Sequence, residues 1–275
     1  MGTSLILTNE AVSALVVLAI LLCSAAAGIF AQRFLSDVHR NRDTRELSQT
    51  VTGMLVTLAA IVLGLLTNSV KTSFDRADRN LRSYSVELIG LGDTLRDFGP
   101  EAAPALGLLR TYVASAIAST WPGEPKPPGV EIVTDLDSEA APHPALESHK
   151  LGSILDRAAA EIRRLPAGDS VHSALATTAA SQAEQLLDDR WTMIEDAHSS
   201  IPVAFYRVMM FWLMIVFASL GLITPRNLLA LTMIVMGALA IAIVVFAIME
   251  MDTPFGGLIT VSSDPMRDAL AHLSE

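Results

Sequence analysis

Residues 47–70, LSQTVTGMLVTLAAIVLGLLTNSV, carry no charge and run without a helix breaker into residues 71–98, KTSFDRADRNLRSYSVELIGLGDTLRDF. The first stretch is long enough to cross a hydrocarbon core, which takes about 20 apolar residues in a helix. The second is polar but periodic. Phe74, Ala77, Leu81, Tyr84, Leu88, Leu91, Leu95 and Phe98 recur at alternating spacings of three and four, the pattern of a helix packed lengthwise against another. Asp75/Arg79 and Asp78/Arg82 are i,i+4 pairs on its flanks, each worth about 0.2–0.5 kcal/mol. Span and stalk therefore read as one rod that Gly99-Pro100 stops, and residues 71–98 extend it about 40 Å past the membrane at 1.5 Å per residue.

Three more apolar stretches lie outward from this rod. Residues 11–31 are uncharged, residues 208–223 reach back to Ile201 if Arg207 snorkels to the interface, and residues 227–249 form the last. The composition agrees with a membrane-embedded chain. Of 275 residues, 51% are hydrophobic and 17% charged, against about 25% charged in soluble domains. Aromatics are 5%, so the surplus is aliphatic. A net charge of −10 excludes nucleic-acid binding, which needs clustered Lys and Arg. Cys23 stands alone, which rules out an intrachain disulfide or a Cys-rich zinc site. A cleaved leader has one supporting feature, the small residues Ser24-Ala25-Ala26-Ala27. Against it, MGTSLILTNE has no basic residue and the apolar run exceeds the ~7–15 residues of a signal core; it reads as a retained span.

The fold class that follows is all-α integral membrane, with four transmembrane helices as two hairpins and a helical extramembrane domain inserted between them. The expected divisions are a first hairpin (1–70), a helical domain (71–200), a second hairpin (201–250) and a tail (251–275). The connector 32–46 holds Arg33, Arg40, Arg42 and Arg45, and Thr224-Pro225-Arg226 turns the second hairpin. Within the domain, residues 103–119 form a helix with Leu109, Tyr112, Ala116 and Ile117 on its apolar face. Residues 122–144 are a proline-rich loop. A third helix spans 145–164 with Leu151, Ile154, Leu155, Ala158 and Ile162 inward, and Asp169 or Ser170 caps a fourth. Ser199, Ser200 and Pro202 break the chain at the membrane surface. In the tail, Phe255-Gly256-Gly257 turns the chain so that residues 265–273 form a short amphipathic helix.

Enzyme chemistry is not expected: the sequence holds no GxSxG, HExxH or GxxxxGK pattern,. Glu195-Asp196-Ala197-His198 is a single Glu-x-x-His, whereas a di-iron bundle needs two copies and two further glutamates. It reads as a solvated helix face, as do His39, His143 and His149 in and around loops, and no metal or cofactor is expected. The second span is more informative. Thr50, Gly53, Thr57, Ala60, Gly64 and Thr67 recur at helical spacing with Asn68 beside them. Such a stripe serves either close helix packing, where small residues let backbones approach, or a water-accessible pore lining at an oligomer axis. Arg207, Glu250 and Asp252 are interfacial charges at span ends, with an Arg207–Asp252 or Arg207–Glu250 pair expected. The acids otherwise suit a cation-attracting ring.

Several segments together resemble the bacterial bestrophin-like domain family. These are Leu63-Gly64-Leu65-Leu66 with Asn68, Phe74-Asp75-Arg76-Ala77-Asp78-Arg79, Tyr112-Val113, Trp121-Pro122, Ile201-Pro202, and Met251-Asp252-Thr253-Pro254-Phe255-Gly256-Gly257. The resemblance covers nearly the whole chain, and the tail segment is its most specific part. Bestrophins are pentameric anion channels whose second span lines the pore. The resemblance thus implies an oligomeric ion channel with Thr50, Gly53, Thr57, Gly64, Thr67 and Asn68 along the pore, and the lipid bilayer, further copies of the chain and ions as partners. The alternative reading is a non-conducting membrane scaffold or sensor whose helical domain binds a partner protein. The seam from Phe74 to Phe98 outruns the second helix that could cover it, so part of it is expected to pack between subunits.

Orientation in a cell inner membrane follows from short connectors and span flanks. The connectors carry five basic residues, the amino terminus none and the tail Arg267. Adding Lys71, Arg76, Arg79, Arg82 and Arg190 at the domain edges turns five against one into five against six. The first span usually dominates, and its flanks hold no basic residue before it and four after,. Both termini and the helical domain are therefore expected outside the cytoplasm, the reverse of bestrophins. A compartment reporter fused after Glu275 should be active only as a periplasmic fusion; cytoplasmic-only activity inverts the assignment.

Overall fold

The computed structural model describes residues 2–34, 42–133, 147–166, 168–198, 201–225 and 227–275. His39, His143, Ser199, Ser200, Arg226 and residues 134–144 of the proline-rich loop lie outside the described residues. Eight α-helices appear among the described residues: α1 Gly2–Ala31, α2 Arg42–Phe98, α3 Ala103–Thr120, α4 His149–Ile162, α5 Ser170–Asp196, α6 Val203–Ile223, α7 Leu228–Met251 and α8 Asp264–Ser274. The chain divides into a membrane unit, residues 3–72 and 199–252, and a helical unit, residues 73–198 and 253–275.

The expected rod is one unbroken helix, α2, and supplies residues to both units. It stops at Gly99, whose φ of 107° is a conformation that costs glycine little,. Pro100 then starts a 3₁₀ turn, a position where its missing N–H is no loss,. Val12–Ala31, Val203–Ile223, Leu228–Met251 and a stretch of α2 are long and apolar enough to span a bilayer.

In the membrane unit, two glycines set how helices meet. A methyl group on Gly28 of α1 would overlap the Ala218 carbonyl of α6, and one on Gly221 would overlap the Ala25 carbonyl. The two helices thus touch backbone to backbone, with their C-terminal ends side by side. One turn beyond, the Gln32 amide nitrogen lies 2.9, 2.8 and 2.9 Å from the carbonyls of Gly221, Leu222 and Thr224. Those are the carbonyls that the end of α6 leaves without helical partners. Leu21, Leu63, Leu213, Phe217, Ala238 and Val245 fill the core between the four helices. Asn227 caps α7 by accepting the Ala230 N–H at 2.7 Å,.

In the helical unit, the α2 seam is buried from Ala77 through Phe98. Leu109, Tyr112, Ala116 and Ile117 of α3 and Leu151, Leu155 and Ile162 of α4 meet it in one core. Asp169 caps α5, accepting the His172 N–H at 2.8 Å. The tail completes this core. Met266, Ala269, Leu270 and Leu273 of α8 point inward, and Leu273 lies over Gly92, where a Cβ would displace it. Arg96 donates to the His272 carbonyl and Arg110 to the Leu273 carbonyl, placing cations at the negative end of α8. Trp121 Nε1–H donates to the Val261 carbonyl at 2.8 Å, and Glu124 accepts from Arg267 at 2.8 Å.

This corrects the expectation that part of the seam packs between subunits. Leu88 is 0% exposed within the chain, and α8 covers the part of the seam for which the local sequence offered no partner.

The glycine contact should tolerate no larger side chain. Gly28→Leu or Gly221→Leu should lower detergent-solubilised stability by about 3 kcal/mol or abolish folding, since overpacking that cannot relax is costly. Gly237→Leu, where nothing stands within 4 Å, should leave the thermal midpoint unchanged by size-exclusion melting.

Candidate functional site

The predicted stripe is intact on α2. Thr50, Gly53, Thr57, Gly64, Thr67 and Asn68 are all exposed, and nothing lies within 4 Å of where a Cβ on Gly53 or Gly64 would stand. The packed side of the helix is opposite. Thr52, Leu63 and Val70 are buried, and Ala59, Val62 and Leu66 line an apolar pocket with Phe205, Val208 and Trp212 of α6. At 100° per residue, those two sets fall about half a turn apart. Packing within the chain therefore makes no use of the small residues.

The threonines are locally arranged. Thr50 donates to the Glu46 carbonyl, Thr57 to that of Gly53 and Thr67 to that of Leu63, at 2.9, 2.9 and 2.8 Å. Each hydroxyl proton is turned to the helix's own backbone, four residues back. The oxygens keep lone pairs, so the threonine oxygens on this open face are acceptors.

The span-end charges fall elsewhere. Asp252 is 5% and Glu250 7% exposed. Asp252 accepts the Tyr206 hydroxyl at 3.1 Å and the Ile201 N–H at 3.3 Å, tying the approach to α6 to the end of α7. Arg207 had been expected as partner for these acids. The hydroxyl bound to Asp252 belongs to the preceding residue, while Arg207 itself is exposed.

Sequence reasoning passed over a polar layer inside the helical unit. The Tyr84 and Tyr112 hydroxyls lie 2.8 Å apart and fully buried; burial pushes both phenols up in pKa. Asn80 donates to Asp196 at 2.6 Å between α2 and α5. One turn past Tyr84, Glu87 accepts from Gln185 at 3.4 Å. Its other oxygen is buried without a donor. Burial first, then the adjoining Asp189 carboxyl, pushes the Glu87 carboxyl up to about 7, as two acids sharing one site must. The missed glycines did leave a signal, the small-x-x-small pairs Ala25/Gly28 and Ala218/Gly221,. The acid pair left none, because its members meet only in the fold. No group of three or more metal-binding side chains forms among the described residues.

Comparison with known proteins places this geometry. The Bestrophin-like domain family matches residues 18–266. Solved structures of a bacterial bestrophin homologue from Klebsiella pneumoniae share the fold. One variant aligns at TM-score 0.63 and 14% identity, over 94% of this chain and 99% of that one. A second aligns at 0.62 and 14%, over 93% and 96%, and a third at 0.62 and 15%, over 92% and 96%. No protein of curated function matches the sequence.

The acid pair makes stability depend on pH. The folded state binds the Glu87 proton more tightly than an unfolded chain does, with a carboxyl raised from 4.5 to about 7. Stability should therefore fall as pH rises from 4.5 to 7 and level off above. Glu87→Gln should flatten that part of the melting profile, measured by circular dichroism in detergent. An unchanged slope would remove the pair as its source.

Proposed function

The chain belongs to the bestrophin-like domain family, and on that premise we propose that it is an oligomeric ion channel of the bacterial inner membrane whose second span lines the pore. The two-hairpin arrangement with the helical domain inserted between hairpins, that domain lying outside the cytoplasm, is part of this proposal. One observation carries the reading. The face of α2 bearing Thr50, Gly53, Thr57, Gly64, Thr67 and Asn68 is open, while the opposite face packs on α6. A helix that buries one side and leaves a small, polar stripe uncovered suits an axis where copies surround water. Threonine oxygens turned outward as acceptors suit a passing cation better than an anion, which needs donors.

Cysteine scanning tests this in a Cys23→Ala background. Cysteines at Thr50, Thr57 and Thr67 should react with a membrane-impermeant thiol reagent at least about tenfold faster than cysteines at Leu63 and Leu66, because thiolate forms only where water reaches. Planar-bilayer recordings should show currents that reagent treatment of the stripe cysteines blocks. Unreactive stripe cysteines in a folded, assembled and silent protein would leave the scaffold reading in its place.

A further inference from the structure

Two exposed ridges of the helical unit carry opposite charge. On α2, Ala77, Leu81, Tyr84 and Leu88 face the core. The far side of the same turns presents Arg79, Arg82 and Val86, and Val86 is 67% exposed. On α5, Ala183, Leu186 and Met193 are buried. The far side presents Glu184, Asp188 and Trp191, and Trp191 is 62% exposed. Each ridge is thus a pair of like charges beside one large apolar side chain.

We infer that a second copy of this chain is the occupant of both ridges: α5 of one copy docks through Glu184, Asp188 and Trp191 onto Arg79, Arg82 and Val86 of the next. The inference rests on the oligomer proposed above and assigns its contact surface in the helical unit.

Three physical arguments support a second copy. Glu184 and Asp188 stand four apart on a helix, and Arg79 and Arg82 three apart; like charges at these spacings repel within the chain. Asp78 offsets part of this on α2, where it binds Arg82 at 3.0 Å. The opposite ridge of a neighbour relieves both repulsions at once. Trp and Arg are the residue types that most often anchor protein interfaces, and opposed charge around them sets register. The indole is also held in place before any partner arrives. The guanidinium of Arg190, itself 6% exposed, lies 5.7 Å from the Trp191 ring centroid, so little side-chain freedom is lost on contact. Every copy carries both ridges, so the contact repeats from copy to copy until the assembly closes.

Charge reversal in the full-length protein tests the contact, with mass followed by light scattering in mild detergent. Arg79→Glu with Arg82→Glu should raise the dissociation midpoint about tenfold or more, as should Glu184→Arg with Asp188→Arg. All four together should restore the wild-type midpoint within about threefold, because the pairs are then re-formed with signs exchanged. Circular dichroism shows whether each variant stays folded. In a Cys23→Ala background, mixing Val86→Cys protein with Trp191→Cys protein should yield a disulfide-linked pair, and neither alone should. Wild-type mass in both charge-reversed pairs, or dissociation without rescue in the combined variant, overturns this interface while the oligomer stands. A monomeric wild type would remove the oligomer with it.

Discussion

Backbone contact between the first and third spans, at Gly28 and Gly221, is the constraint on which the membrane unit turns. Helices in lipid gain nothing from hiding apolar surface from one another, because the acyl chains are equally apolar. What brings them together is dense contact, and here the contact is as close as two helices allow. It also brings Gln32 to the last carbonyls of α6, which would otherwise face a region with few water molecules. The approach to α6 is held by Asp252, so α6 is fastened near both ends, to α1 at one and to α7 at the other. With α6 so fixed, α2 can pack against it through one side alone.

Most of the helical unit was legible because its helices are amphipathic. The seam positions read from three-four spacing are the ones that disappear into the core, and the Gly99-Pro100 stop and Asp169 cap fall where local chemistry puts them. The membrane helices were legible only as spans. α1 and α7 are apolar on all sides, so periodicity says nothing about which side meets a neighbour. Small residues answer that question, and the run Ser24-Ala25-Ala26-Ala27, which superficially suits a cleavage site, includes Ala25 of the glycine crossing. The expected Arg207 ion pair illustrates the limit of charge arithmetic. The span-end acid sits at the right level, but the donor that reaches it is the neighbour, about 100° around the helix.

The helix α2 shows how one element can serve two environments. Past residue 73 it buries a continuous apolar seam in the core of the helical unit, and that burial of apolar surface stabilises it,. Before that it packs on one side and presents acceptor oxygens and small side chains on the other. The change lies in which residue types cover its sides, while the backbone continues without interruption. An exposed stripe in one half and a charged ridge in the other are both surfaces that a solitary chain leaves uncovered.

The docking of α8 has a consequence for how the protein is made. Residues 253–275 follow the last two spans in sequence yet complete the core begun at residue 73. When α5 leaves the ribosome, the surface around Gly92 and Leu91 still lacks its cover. At roughly 5–20 residues per second, several more seconds pass before α8 is synthesised, and α6 and α7 emerge first. The core of the helical unit is thus closed only by residues 253–275, which are synthesised after α6 and α7. A ribosome stalled between them leaves a domain with an open seam, the form that a chaperone or a quality-control protease recognises.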